Sequence, residues 1–385
     1  MSFFTQEHLE RLIKLRHELH KIPETAHREE KTANHILRFL EDYNPDQLIK
    51  GIGGRGIAAI YEGQSDGPTV MLRCELDGLP ISEINDFEYR SKHKGKGHKC
   101  GHDGHMAIIT GMALYLSKNR PERGRVILLY QPAEETGEGA VKMLNDPQFK
   151  NIQPDLIYAL HNLPGYPKGQ ILVKKGVFAS ASRGMIIKLK GRTSHASHPA
   201  NGENPALAAS QIVQSFFMIP QMKTDLHHAT LITPIQIKVG QPAFGTSAGS
   251  GEVMFTLRSH RNEEMKILTE TAENHAEAIA KAHNLKIEIN YTEKFEAVNN
   301  DGKCIDFIKK VAKDSKFSLL EKKYPFPWSE DFGQFTSKFN GALFGLGAGE
   351  NTPQLHNEDY DFPDEILETG LAMFQKIADQ ILNQT

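Results

Sequence analysis

Cysteine, histidine and carboxylate side chains crowd the segment Cys100-Gly101-His102-Asp103-Gly104-His105. Thiolate and imidazole are good ligands for zinc and other borderline-soft divalent metals. The glycines let the backbone bring Cys100 and His102 toward one point. Taken alone, the segment reads equally as a polar loop before a helix. A second candidate is Glu134-Glu135, which follows a short apolar run. Adjacent carboxylates repel, and a cation compensates by inverting the local charge logic. One Glu can then ligate while its neighbour stays unligated as a general base. By itself such a pair is more often a solvated acidic turn. His161, at the end of another apolar run, and His356, in Thr352-Pro353-Gln354-Leu355-His356-Asn357, mean little singly. Together these residues form a set of ligand-type side chains that packing alone explains poorly. No Cys-x-x-Cys pair is present, which argues against a structural zinc ribbon. G-x-x-x-x-G-K-[ST] and H-E-x-x-H are absent as well.

The elements that must position these residues follow from hydrophobic period. Leu9, Leu12, Ile13, Arg16 and Leu19 fall at helical spacing behind Thr5, a candidate N-cap, and a second helix is expected over 31–43. Apolar runs at 57–61, 69–76, 126–130 and 156–160 read as short buried strands, with a helix at 105–116. The glycine-rich stretch 51–56 precedes a strand instead of linking strand to helix, so it reads as a turn. This pattern predicts an α/β fold, a mostly parallel twisted sheet flanked by helices. Three runs end in polar titratable residues: Asp77, Glu134-Glu135 and His161. Open α/β sheets build their sites beyond the carboxyl ends of strands, so these residues can meet at one rim. Residues 185–190, 205–217, 230–239, 252–258, 262–283 and 286–291 follow in the order βαββαβ, the ferredoxin-like pattern. The expected organisation is a discontinuous catalytic domain, 1–180 and 293–385, with an inserted unit at 181–292. Helices at 301–313 and 364–382 and a strand at 341–346 complete the chain.

The bulk numbers agree with a globular enzyme. The chain has 385 residues, which suits two or three domains, and is 39% hydrophobic and 24% charged. The formal charge of −3, without a basic stripe, argues against nucleic acid. No apolar run approaches a membrane span, and the opening residues lack a signal peptide's apolar core, so a cytoplasmic location is expected. Three cysteines are no disulfide framework; Cys74 and Cys304 read as small buried hydrophobes.

At this point several motifs in order bear a resemblance. They are Arg73-Cys74-Glu75-Leu76-Asp77-Gly78-Leu79-Pro80, Cys100 through Met106, Gln131-Pro132-Ala133-Glu134-Glu135, His161-Asn162-Leu163-Pro164, Gly191-Arg192-Thr193-Ser194-His195-Ala196, and Ser329-Glu330-Asp331-Phe332 through His356. The chain resembles the M20 metallopeptidase family, in its amidohydrolase branch, over nearly its whole length. The resemblance implies that Cys100, His102, Glu135, His161 and His356 bind one or two divalent metal ions (Zn, Mn, Co or Ni), with Glu134 as general base and Asp77 supporting the ligands. It implies that the inserted unit is a lid or dimerisation domain. His195 would reach a partner subunit's site, and Arg258 would bind the substrate carboxylate. A homodimer, possibly extending to a homotetramer, and a small N-acyl amino acid substrate follow from it. The alternatives are a dipeptidase or aminopeptidase of the same family, and a catalytically silent metal-stabilised dimer; Glu134 beside Glu135 argues against the last. The chain departs from the family pattern at Glu75, where Asp is usual, at Pro199-Ala200, where many relatives have Pro-His, and in Gln241 through Ser247.

Overall fold

The computed structural model describes residues 3–225 and 227–383; Met1 and Ser2, which begin the opening stretch, lie outside them. The chain divides into two compact units.

The first unit comprises Met1–Phe178, Val298–Pro325 and Asp331–Thr385. Its helix Gln6–His20 starts where the sequence expects, with Thr5 in a capping box with His8. Eight strands form one sheet in the order Gln47–Ile52, Gly56–Glu62, Arg125–Gln131, Thr69–Glu75, Leu156–Pro164, Asn340–Gly349, Ile171–Val173 and Leu319–Glu321. The four central strands run parallel. Antiparallel pairing enters through the first two strands and between Asn340–Gly349 and Ile171–Val173. Val70, Leu72 and Cys74 join a core built with the helices Gln6–His20, Glu30–Glu41, His102–Leu116, Gly302–Asp314 and Leu367–Leu382. Met71, Ile127 and Ile157 point to the other face and are equally buried, and the short helices Gly139–Asn145 and Gly333–Thr336 pack on that side. Burial on both faces explains why these strands read as continuous apolar runs.

Two sequence expectations need adjustment. The glycine-rich stretch is not all turn: Gly51 and Ile52 finish a strand, and only the residues after them make the hairpin into Gly56–Glu62. His161 does not lie beyond its strand. The strand continues to Pro164 because its last residues still pair with Gly345–Gly349.

The second unit comprises Ala179–Ala297 and Phe326–Glu330. Its four-stranded antiparallel sheet has the order Thr230–Val239, Ser250–Ser259, Ala181–Lys190, Lys286–Phe295. Met185, Ile187, Leu189, Val253, Phe255 and Leu257 alternate inward beneath the helices Ala206–Lys223 and Asn262–Ala282. Phe216 meets Phe255 at 4.5 Å between ring centroids. Among the described residues, no helix is long and apolar enough to cross a membrane.

Candidate metal centre

The parallel register aligns the functional rim. Glu75 is paired with Gln131, while Arg73 is paired with Ala159, so His161 stands two residues further along, level with Glu75. Asp77 follows the first of these strands and Glu134-Glu135 the second. The third contributor is the start of the helix His102–Leu116, all of whose residues are buried. Gly101 precedes it with φ +88°, a left-handed conformation that L side chains resist, and a Cβ there would stand 2.6 Å from Asn162 Oδ1. The glycine is required on both counts. It reverses the chain so that Cys100 and His102 face one cavity.

Five expected donors converge in that cavity. Cys100 Sγ lies 3.5 Å from His161 Nε2. His102 Nε2 is 3.9 Å from Glu135 Oε1 and 4.0 Å from Glu134 Oε2. His356 Nε2 is 3.8 Å from Glu135 Oε2. Three overlapping sets, Cys100/His102/His161, Cys100/Glu135/His356 and His102/Glu134/Glu135, each keep their donor atoms within 4.8 Å of one another. Ligand bonds of about 2.0–2.3 Å in tetrahedral array separate donors by roughly 3.3–3.8 Å, close to these spacings. A divalent ion fits the set for two further reasons. His102 Nε2 is buried without a hydrogen-bond partner, a cost that a cation removes. The other ring nitrogens are already committed: His102 Nδ1 donates to the Asp77 carbonyl at 2.8 Å and His161 Nδ1 to the Asn162 carbonyl at 2.9 Å. Each Nε2 is therefore left as the ligand atom, the arrangement that metal-binding histidines favour.

The protein's own field leaves two of these donors protonated: burial opposes the charge on His102, but Cys100 and Asp77 outweigh it and raise the ring well above its ordinary value. Burial pushes the Cys100 thiol well above its ordinary value, and the Glu135 charge pushes it further. Burial pushes His161 down to about 3, so its imidazole is neutral and able to ligate. A cation would convert the thiol to thiolate.

Asp77 touches two of the donors' supports. Its Oδ2 accepts the Glu135 backbone N–H at 3.0 Å while its carbonyl holds His102. Glu134 sits beside the donors, with Oε1 accepting the Asp331 N–H at 3.2 Å. Asp103 and His105, although inside the cysteine–histidine segment, turn away. Asp103 Oδ2 meets Arg16 at 3.1 Å and His20 at 2.8 Å. His105 is bonded at both nitrogens, to Glu75 Oε2 at 2.7 Å and Asn162 Oδ1 at 2.5 Å. Glu75 completes a group with His102 and His105. Burial disfavours its carboxylate, yet Arg73 and His105 hold it well below the usual range. It is thus a structural anion.

His195 and Arg258 lie in the second unit. His195 is exposed in a two-residue strand paired with Thr246–Ser247, and its Nδ1 accepts the Ser197 N–H at 3.1 Å, which leaves the proton of the neutral ring on Nε2. Arg258 donates to uncharged partners, the Pro327 carbonyl at 3.0 Å and Ser329 Oγ at 3.2 Å.

The sequence reading missed Arg73, Asp331, Asn162 and Lys99. Arg73, a cation inside an apolar strand, carried a signal: it reaches Glu75, Asp331 and Gln131 with no exposure above 1%. Lys99 is fully buried, and its carbonyl accepts the His356 N–H at 2.7 Å. Nothing local marks it.

Residues 71–380 match the sequence profile of Peptidase family M20/M25/M40. The chain is 31% identical over 364 residues to an N-acetyldiaminopimelate deacetylase of Bacillus subtilis, covering 94% of this chain and 96% of that one. It is 28% identical to a hippurate hydrolase of Campylobacter jejuni over 367 residues, 95% of each chain. A dinuclear metal binding peptidase of the M20 family from Bacillus subtilis superposes with a TM-score of 0.84 at 26% identity, over 99% of this chain and 100% of that one.

Proposed function

The chain belongs to Peptidase family M20/M25/M40, and from that premise we propose that it is a metal-dependent amidohydrolase that cleaves the amide bond of N-acyl amino acids. The observation that carries this reading is the convergence of Cys100, His102, Glu135, His161 and His356 on one cavity, with the Glu134 carboxylate beside it. The names of the two curated relatives support the substrate class, since both describe hydrolysis of an acylated amine.

The five donors would hold one or two divalent ions, and their mixture of thiolate, imidazole and carboxylate suits zinc, manganese, cobalt or nickel. Such an ion supplies water with a pKa lowered toward about 7 and a polarised carbonyl. Glu134 takes the proton of the attacking water and delivers it to the leaving nitrogen. The Asp331 N–H anchors Oε1 and keeps the carboxylate oriented, with Oε2 turned to the donors. Asp77 holds the His102 ring and the Glu135 backbone together. His195 offers Nε2–H to the oxyanion, acting from the partner copy of a homodimer in which the 181–292 unit is lid and interface. Losing one such donor typically costs about 10²–10³ in rate. Arg258 pairs with the substrate carboxylate. A cytoplasmic setting accords with three unpaired, buried cysteines.

The test is amine release from a panel of N-acyl amino acids and from the matching dipeptides, in chelator and with each metal restored. Activity on acylated substrates that chelator abolishes, and that Glu134→Gln loses at unchanged metal content, is expected. Turnover in chelator, or full activity in Glu134→Gln, contradicts the reading.

A further inference from the structure

Glu29 is fully buried and lies 104 residues before Ala133, which directly precedes the Glu134-Glu135 pair. It occupies the N-cap position of the helix Glu30–Glu41, yet its side chain makes no capping bond there. One oxygen, Oε1, instead accepts two backbone N–H groups, that of His27 at 2.9 Å and that of Ala133 at 2.8 Å. Both residues are non-glycine and both are left-handed, with φ of 67° at His27 and 52° at Ala133. A left-handed alanine is unfavourable and persists only where its surroundings impose it. Ala133 is the residue that turns the chain from the strand Arg125–Gln131 into Glu134-Glu135. Gly137 N–H to the Glu134 carbonyl at 2.8 Å, Gly139 N–H to the Ala133 carbonyl at 3.0 Å and Glu135 N–H to Asp77 Oδ2 at 3.0 Å hold the residues that follow, but none of them engages the Ala133 N–H.

We infer that Glu29 is a positioning residue for the hydrolytic site, holding Ala133 left-handed so that Glu134 and Glu135 enter the donor cavity. The inference rests on the roles proposed above for those two glutamates. The carboxylate serves the backbone of a distant loop, as the acceptor of the Ala133 N–H. Without the acceptor at Oε1, the Ala133 N–H is buried and unsatisfied, and the turn relaxes toward a right-handed or extended backbone. Either relaxation rotates both following side chains. Two functions are then lost together: the base moves away from the attacking water, and a metal donor moves away from its partners. Placement errors of about 1 Å at a reacting centre cost on the order of 100-fold.

The prediction separates this role from simple packing. Glu29→Leu removes the acceptor and should lower kcat roughly 10- to 100-fold, with KM changed less. It should also weaken manganese binding to the apoenzyme, read by calorimetric titration without substrate. Glu29→Gln keeps an oxygen in place of Oε1 and should retain most of both. Ala133→Gly, introduced into Glu29→Leu, should recover kcat at least several-fold, because glycine adopts positive φ without penalty; packing loss at position 29 has no route to such a rescue. Should Glu29→Leu fail to fold, Glu29→Asp replaces it, its carboxylate one methylene too short for Ala133, and should fall well below Glu29→Gln. Wild-type kcat and manganese affinity in folded Glu29→Leu overturn the inference, as does absence of rescue by Ala133→Gly or equality of the Asp and Gln variants. A wild-type enzyme inactive on every N-acyl amino acid would instead defeat the functional reading, while the manganese titrations would still decide the role of Glu29.

Discussion

His20 should make the stability of this protein fall as pH rises from neutral to alkaline values. The ring is fully buried, with Nδ1 2.8 Å from Asp103 Oδ2 and Nε2 2.9 Å from Glu83 Oε1. Two carboxylate acceptors on one ring call for a donor at both nitrogens, which only imidazolium provides. Burial opposes the charge, but Asp103 and Glu83 overcome it and push the group up from 6.5 to about 9, against the opposing charge of Arg16. At about 1.4 kcal/mol per pH unit, that rise corresponds to about 3 kcal/mol. The folded-state value is raised, so the contribution is complete below about pH 6.5 and disappears as pH climbs through about 9. The assay is urea unfolding of wild type and His20→Gln in chelator, so that metal linkage does not enter, at pH 6 and pH 10. Wild type should lose about 3 kcal/mol more than the variant between those pH values. A difference between the two proteins that stays constant with pH would refute the reasoning. Because Asp103 follows His102 directly and Glu83 also binds Lys99 at 2.5 Å, the same transition should loosen the metal-binding helix start.

Gly101→Ala should destabilise the fold by about 2–4 kcal/mol, combining left-handed strain with overpacking, since Asn162 is held by His105 and Tyr360 and cannot retreat. A thermal melt and a metal titration check it, and wild-type values in both would contradict the argument. Arg73→Met should cost about 3–5 kcal/mol in urea unfolding, because Glu75 and Asp331 are left as buried charges. The kcat should fall as well, since Asp331 anchors Glu134; a loss under 1 kcal/mol with normal turnover would contradict that chain of support.

The central sheet and the antiparallel second sheet were legible because buried strands and amphipathic helices leave strong periodic signals. Short edge elements such as Ile171–Val173 and Leu319–Glu321 were not, since three residues carry no period and their pairing is set by neighbours far along the chain. Donor types were legible in Cys100, His102 and Glu135, but direction was not. His105 and Asp103 share the helix start with His102, and the rotation of that helix sends them to Glu75 and Arg16 instead. Arg16 falls on the apolar face of its helix by spacing. It is buried there because Asp103 and Asp361, 87 and 345 residues away, supply its counter-charge. Such supports are long-range and leave no local trace.

The most direct measurement is anomalous diffraction from crystals grown with manganese or zinc, recorded on either side of the metal edge. One or two peaks should lie within about 2.0–2.3 Å of donor atoms from Cys100, His102, Glu135, His161 and His356, with Glu134 outside the coordination sphere. Strong peaks elsewhere, with this cavity holding no metal, would contradict the account.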